Sequence, residues 1–96
     1  MEISKSDIVL SVAGRDTGKL LYVIDTDGVY VSLANGKDRK VEKPKRKKLK
    51  HVRKVLRPDS ILAAKIRSGE KILNSELRRE LAEISRQINV STKEVN

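Results

Sequence analysis

Apolar residues recur at every second position along three segments near the start of the chain, and each segment predicts a β-strand. The segments are Ile8–Ala13 (IVLSVA), Lys19–Asp25 (KLLYVID) and Val29–Ala34 (VYVSLA). A loop with two glycines joins the first two segments. The dipeptide Asp27-Gly28, which suits a tight turn with positive φ, joins the second and third. We therefore expect an antiparallel meander of three strands.

Two further strands are expected after the meander. Asn35-Gly36 is a second turn signal, and we expect a short fourth strand at Arg39–Lys43, ended by Pro44. A last edge strand is expected at Leu49–Val55. Five short strands joined by tight turns cannot bury both faces of a flat sheet. We therefore predict a mainly β fold whose strands curl into a small, partly open barrel.

The sequence beyond residue 57 predicts two helices. Residues 58–60 (PDS) are a helix-start signal for a first helix at Ile61–Ser68, and Gly69 suits its end. A second helix is expected from residue 74 or 75 to about Asn89, with its apolar residues on one stripe: Leu73, Leu77, Leu81, Ile84 and Ile88. The stripe is expected to pack on the barrel or on the first helix. Contact with another protein, including a second copy of the chain, is the alternative.

The distribution of charge points to a polyanionic partner. The chain has 96 residues and a formal net charge of +9. Lys37–Arg57 holds 12 of the 22 basic and 2 of the 13 acidic residues, a net +10, so the other 75 residues sum to −1. One contiguous stretch therefore carries the whole positive excess. Such a localised surface usually faces a polyanion, most commonly nucleic acid.

Several classes of protein are disfavoured by composition. With 38% apolar residues but only two aromatic ones, the chain is expected to form a single small domain with a thin core. It contains no cysteine, so neither a disulfide framework nor a cysteine-based zinc site is expected. The start, MEISKSD, does not resemble a signal peptide, and no apolar run approaches the roughly 18 residues of a membrane span. We expect a soluble, cytoplasmic protein.

The loop Ala13–Lys19 (AGRDTGK) is compatible with the relaxed form of the phosphate-binding loop of nucleotide hydrolases, but the match fails at two points. The residue after the lysine should be Ser or Thr, to hold Mg²⁺, and here it is Leu20. A helix should follow, whereas the next residues predict a strand. The glycines are better explained by backbone positions that only glycine adopts readily.

The same loop, with its flanking strands and the following Val29-Tyr30-Val31, resembles the KOW motif of ribosomal proteins and transcription elongation factors. The basic segment Val41–Val52 (VEKPKRKKLKHV) is similar to that of the archaeal and eukaryotic large-subunit ribosomal protein called "fourteen-e", and to that of small bacterial KOW proteins. The resemblance covers about residues 6–57.

This resemblance implies an SH3-like five-stranded KOW barrel over residues 1–57 that binds ribosomal RNA. It leaves residues 58–96, the helical C-terminal extension, without a matched role. By the family's pattern Gly18 is the invariant glycine, and Arg15 and Lys19 lie near the RNA. Gly14 and Gly18 would let the backbone turn closely enough to present them.

The basic residues around Pro44 are expected to hold RNA phosphates from a projecting loop. They are Lys43, Lys45, Arg46, Lys47, Lys48, Lys50, Arg53 and Lys54, with His51 beside them. About six such contacts imply a slope near −4 to −5 for log affinity against log salt concentration. A solvated, disordered run of charge is one alternative, and a nuclear-import address (PKRKK) in a eukaryotic host is another.

The remaining side chains favour a binding protein over an enzyme. Only Tyr22 and Tyr30 could stack on bases, so recognition of folded or duplex RNA through shape and phosphate is expected. His51 has no thiol or second imidazole with which to share a metal, and Asp25 and Asp27 suit turn capping. No catalytic residue, metal, cofactor or small-molecule substrate is therefore expected.

Together with the absence of catalytic groups, the resemblance implies a non-enzymatic ribonucleoprotein component of the translation machinery, most simply a large-subunit ribosomal protein whose C-terminal helix contacts ribosomal protein neighbours. Two rivals remain. One is a KOW adaptor that binds a protein partner in transcription or translation through the barrel and the helical stripe. The other is a general polyanion binder for DNA or an anionic membrane, and equal affinity for DNA and RNA would favour it.

Overall fold

The alternating segments form β-strands in a computed structural model, which describes the backbone of residues 2–95 and the side chains of residues 2–88. The strands are β1 (Ile8–Ser11), β2 (Leu20–Thr26), β3 (Tyr30–Ala34), β4 (Lys45–Lys48) and β5 (Val52–Leu56). They form one antiparallel sheet in the order β4-β3-β2-β1-β5. The predicted meander and a mainly β core of five strands are confirmed. The predicted last edge strand is also present, but it begins at Val52, because Leu49–His51 forms a 3₁₀ turn.

The fourth strand lies further along the chain than predicted. Arg39–Lys43 is not a strand, because other contacts use its backbone: the amides of Asn35 and Gly36 donate to the Arg39 carbonyl, and the Val41 amide donates to the Asn74 side chain at 2.9 Å. Pro44 directly precedes β4, where its missing N–H costs no ladder bond. The expected projecting basic loop is therefore wrong, since much of that stretch is sheet.

The sheet is strongly curved but not closed by hydrogen bonds. β4 and β5 are its two edges, and no ladder joins them within the described residues. In a flat sheet β4 and β1 would lie about 14 Å apart, three strand spacings. Yet the Lys47 ammonium of β4 lies 2.7 Å from the Ser11 hydroxyl of β1. Curling of the sheet brings the two strands within reach of one side chain.

A single 3₁₀ turn, Leu49–His51, connects the two edge strands. The Leu49 amide donates to the Val29 carbonyl at 2.9 Å, and the Val12 amide donates to the His51 carbonyl at 2.9 Å. The turn is therefore tied to residues next to β1 and β3, the two outer strands of the meander, which explains how so short a connection can join opposite edges.

Curling gives the sheet two separate apolar clusters. The concave face buries Val9, Leu21, Val23, Val31, Leu33 and Val52. The outer face contributes Ile8, Tyr22 and Ala34 to a second cluster, which it shares with the helices. Both faces of β2 are thus buried, as its continuous apolar run requires.

Two helices pack on the outer face of the sheet. α1 (Ile61–Ser68) begins at Ser60, whose hydroxyl accepts the Ala63 amide at 3.1 Å, and ends at Gly69 with a φ of 77°. This helix is confirmed at both predicted ends. α2 (Asn74–Val95) starts as predicted and continues beyond the expected end near Asn89.

The apolar stripe of α2 faces the sheet. Leu77, Leu81 and Ile84 are buried beside Tyr22 and Ile8, whereas Leu73 at the helix start is about half exposed. This arrangement supports packing on the sheet over the alternative of an external partner. No helix within residues 2–95 combines the length and hydropathy needed to cross a lipid bilayer.

Candidate nucleic-acid interface

Alternation along β4 divides its four basic residues between the two faces of the sheet. Lys45 and Lys47 pair in register with Leu33 and Val31, whose side chains belong to the concave face. Arg46 and Lys48 pair with Ser32 and Tyr30, and all four therefore lie on the outer face. The run KRKK forms two surfaces, not one.

A basic groove lies beside β4 and crosses its edge, since both concave-face and outer-face residues of β4 line it; we define it as two adjoining hollows of about 480 and 420 Å³. The first hollow is lined by Ala13, Gly14, Arg15, Asp16, Arg39, Lys45, Lys47 and His51. The second is lined by Asp38, Arg39, Lys40, Lys43, Pro44, Lys45 and Arg46. Arg39 and Lys45 are common to both. The groove thus joins the glycine-bearing loop to β4 and to the turn before it.

The glycine-bearing loop has the backbone geometry expected from its sequence. Gly14 and Gly18 have φ of 79° and 87°, in the left-handed region that glycine adopts without strain. The Gly18 amide donates to the Ser11 carbonyl at 2.9 Å, and the Lys19 amide donates to the Asp16 carbonyl at 2.9 Å. Both glycines are therefore needed for a tight loop that turns its side chains toward the groove.

Asp16 ties the loop to the turn before β4. Its carboxylate is buried and accepts three hydrogen bonds from the Arg39 guanidinium, at 2.9 to 3.3 Å. The Lys19 ammonium lies 3.5 Å away on the other side. Burial would raise the pKa of the Asp16 carboxyl, but Arg39 and Lys19 hold it below its ordinary value. Asp16 is thus ionised and internally neutralised, so it does not oppose an anion in the groove.

Lys19 is committed to ion pairs within the protein. Besides Asp16, its ammonium pairs with Asp38, whose carboxylate also accepts the Asn35 side-chain amide at 2.8 Å. The hydrogen bond from Lys19, followed by that from Asn35, lowers the pKa of Asp38 to about 2, and the Asp38 contact raises the pKa of Lys19. Lys19 therefore positions the loop, whereas Arg15 beside it is exposed.

Lys47 also makes its hydrogen bonds within the protein. Its side chain is 9% exposed, and its ammonium donates to the Ser11 hydroxyl at 2.7 Å and to the Ala13 carbonyl at 2.5 Å. A Cβ on Gly14 would lie 3.5 Å from this ammonium. Lys47 thus joins β4 to the end of β1 across the concave face.

Lys47→Glu is expected to lower the free energy of unfolding by about 2 kcal/mol, since a buried carboxylate would face the carbonyl and hydroxyl oxygens that now accept from the ammonium. Urea denaturation followed by circular dichroism measures the change. Lys48→Glu is the matched control, because Lys48 is the exposed next residue of the same strand and should change stability by less than about 0.5 kcal/mol. Equal losses in the two variants would contradict the anchoring role.

The other predicted RNA-binding residues are spread over the rest of the surface. Lys50 and Arg53 are exposed on the 3₁₀ turn and on β5. Lys54 is partly buried, with its ammonium 3.4 Å from the buried carboxylate of Asp7, which Arg57 also contacts at 3.0 Å. The Lys54 ammonium is therefore engaged in an ion pair within the protein.

The structure brings five predicted site residues together at the groove with their charged or polar groups accessible: Arg15, Lys43, Lys45, Arg46 and, half-buried, His51. It adds Lys40 and Arg39, which sequence reasoning assigned to a strand and not to the site. The sequence offers one signal for Arg39: Asp16 is an acidic residue in an otherwise basic loop, and such a carboxylate commonly pairs with a basic side chain. It did not identify Arg39, which is 23 residues away.

The part of the chain that the structure describes holds no cluster of three or more His or acidic side chains able to bind a metal. Comparison with known proteins gives no further assignment: no protein-family model matches this chain, and no curated protein matches it significantly.

Proposed function

We propose that this protein is a non-enzymatic RNA-binding protein of the KOW type that binds structured RNA through phosphate contacts in the basic groove. The observation that carries the proposal is that the exposed side chains of Arg15, Lys43 and Lys45 meet at one groove. Among the described lining residues, Asp16 has the only buried carboxylate, and Arg39 already neutralises it. Free cations around an internally balanced acid favour binding of an anion.

The shape of the groove suits a polyphosphate backbone better than a single base. It extends over two adjoining hollows, and its accessible donors are Lys and Arg side chains from the loop, the preceding turn and β4. Such donors contact phosphate oxygens without reading sequence. Recognition by backbone shape, as in folded RNA, is the mode that this arrangement supports.

The finer assignment rests on the resemblance to KOW proteins, and two observations support it. The strongly curved five-stranded sheet is compatible with an SH3-like barrel over residues 1–57, open between β4 and β5. The motif loop also lies beside the basic strand, as an RNA-binding role requires. We propose ribosomal RNA, on the large subunit, as the target, and a cytoplasmic, ribosome-associated protein.

A salt titration of binding tests the proposal. The purified protein is titrated into a labelled RNA hairpin and into a DNA hairpin of the same sequence at several salt concentrations. We expect tighter binding to RNA, and a slope near −4 to −5 for log affinity against log salt if about six phosphates are contacted. Equal affinity for the two hairpins would favour the general polyanion binder.

The ribosomal assignment is tested separately in cell extract. A tagged copy of the protein is sedimented through sucrose gradients at low and at high salt. Comigration with large subunits that persists at moderately high salt is the expected result. A protein that stays at the top of both gradients would overturn the ribosomal target and favour the adaptor.

A further inference from the structure

We propose that the outer face of the sheet carries a second RNA contact, in which an unpaired nucleobase stacks on the guanidinium of Arg46. This inference rests on the proposed RNA-binding function and adds to the phosphate contacts of the groove. It concerns the surface formed by Arg46, Tyr30 and Asp27, which we call the Arg46 platform.

The guanidinium of Arg46 is held against an aromatic ring. Its Cζ lies over the Tyr30 ring, 4.1 Å from the ring centroid. Arg46 pairs in register with Ser32, and Tyr30 is its diagonal neighbour on the same face of β3. The two side chains thus form a stack whose inner layer is the ring and whose outer layer is the planar guanidinium.

A fixed carboxylate holds one edge of the guanidinium. The Asp27 carboxylate accepts the amides of Tyr30 and Val29 at 2.8 and 2.9 Å, so the turn positions it. Its second oxygen lies 3.5 Å from the Arg46 Nη2 atom. The two amides, with a smaller contribution from Arg46, lower the pKa of Asp27, which keeps it negatively charged at neutral pH.

This arrangement leaves the outer surface of the guanidinium open to a planar ligand. The Arg46 side chain is 65% exposed although the ring and the carboxylate both restrain it. The charge of Asp27 offsets that of Arg46 and repels a phosphate placed at this edge. A nucleobase is neutral and planar, and proteins commonly stack unpaired bases on Arg guanidinium planes and aromatic rings.

The helices leave this part of the outer face uncovered. Ala34, at the far end of β3, lies beneath them in the shared apolar cluster, whereas Tyr30 lies outside that cluster. Lys48, directly opposite Tyr30 on β4, is exposed and can contact the phosphate next to a stacked base. Tyr22, by contrast, is buried, and its hydroxyl donates a hydrogen bond to the Glu80 carboxylate. Of the two tyrosines, only Tyr30 can support a base.

The test compares a 20-base-pair RNA duplex with the same duplex carrying one bulged adenine, each titrated with wild type and with Arg46→Lys. Lysine keeps the charge but not the planar surface. We expect wild type to prefer the bulged RNA about 10-fold, from the stacking of one base. Arg46→Lys should lose this preference: its affinity for the bulged RNA should fall about 10-fold more than its affinity for the plain duplex, because lysine keeps the charge that Arg46 contributes at the second hollow.

Two further variants sharpen the result. Tyr30→Leu removes the support beneath the guanidinium and should lower the preference for the bulged RNA as Arg46→Lys does. Arg53→Lys makes the same exchange at an exposed arginine of β5 and should leave the preference unchanged. An unchanged preference in Arg46→Lys, or equal losses on both RNAs, would overturn the platform and leave the proposed function standing. Failure of wild type to bind either RNA would overturn the proposed function itself.

Discussion

Replacing Arg15 and Lys45 together by Glu is expected to weaken binding to structured RNA about 100-fold at roughly 0.1 M salt. Both side chains are exposed at the first hollow of the groove, one from the loop and one from β4. Each replacement removes a cation that binds phosphate and adds an anion that repels it. The slope of log affinity against log salt should become less steep by about 2, because two phosphate contacts are lost.

A double variant on the helical side is the matched control. Lys71→Glu/Arg79→Glu changes the formal charge by the same amount, from +9 to +5, but both residues are exposed and neither lines the groove. It should weaken binding less than fivefold, through long-range charge alone. If the two double variants lose affinity equally, net charge and not the groove determines binding, and the site is wrong.

The design of this variant depends on the structure. Replacing the whole run Lys45–Lys48 would reverse a charge on each face of the sheet and also remove Lys47, which anchors β4 to β1. Lost binding would then have three possible causes. The pair Arg15 and Lys45 changes one surface only and leaves the anchor in place.

Gly36→Ala is expected to lower the free energy of unfolding by about 3 kcal/mol, the largest effect we expect from a single substitution. Gly36 has a φ of 76°, and a Cβ built on it would lie 2.2 Å from the Asn74 carbonyl oxygen and 2.9 Å from its carbon. Those atoms belong to the first residue of α2 and cannot move without displacing the helix. Backbone strain and this overlap add together. Thermal unfolding should shift down by roughly 12–24 °C.

Gly28→Ala separates the two contributions. Gly28 also has a positive φ, of 91°, but no atom lies within 4 Å of its built Cβ. Only backbone strain applies there, and a loss of about 1 kcal/mol is expected. Similar losses in both variants would show that α2 does not pack closely on the turn at Gly36. They would also contradict the contact from the Arg78 guanidinium, which donates to the Gly36 carbonyl at 2.5 Å.

Local patterns were sufficient to predict most elements of this fold. Alternating apolar residues located β1 to β3, and Ser60 and Gly69 located both ends of α1, because these signals act within a few residues. The segment before β4 was the exception. Its amides bond to the turn and to Asn74, whose position depends on how α2 packs, and no local pattern reports that.

The candidate site was only partly predictable for the same reason. The charge run Lys43–Lys54 pointed to the region of the basic groove, since net charge is a property of composition. Composition does not show which of these residues are accessible. The Lys47 ammonium donates to Ser11 of β1, and the Lys54 ammonium pairs with the buried Asp7. Only the curl of the sheet and the packing at its edges decide these pairings.

The sequence by itself determined a mainly β protein with two C-terminal helices, two glycines in a tight loop and one strongly basic stretch. Those features follow from residue type and short-range spacing. The tertiary structure decided the rest, because strand alternation divides KRKK between two faces and ion pairs occupy Lys19 and Lys47. It also placed Arg39 under the loop and Tyr30 under Arg46, contacts that join residues 16 or more positions apart in the chain and that no periodicity encodes.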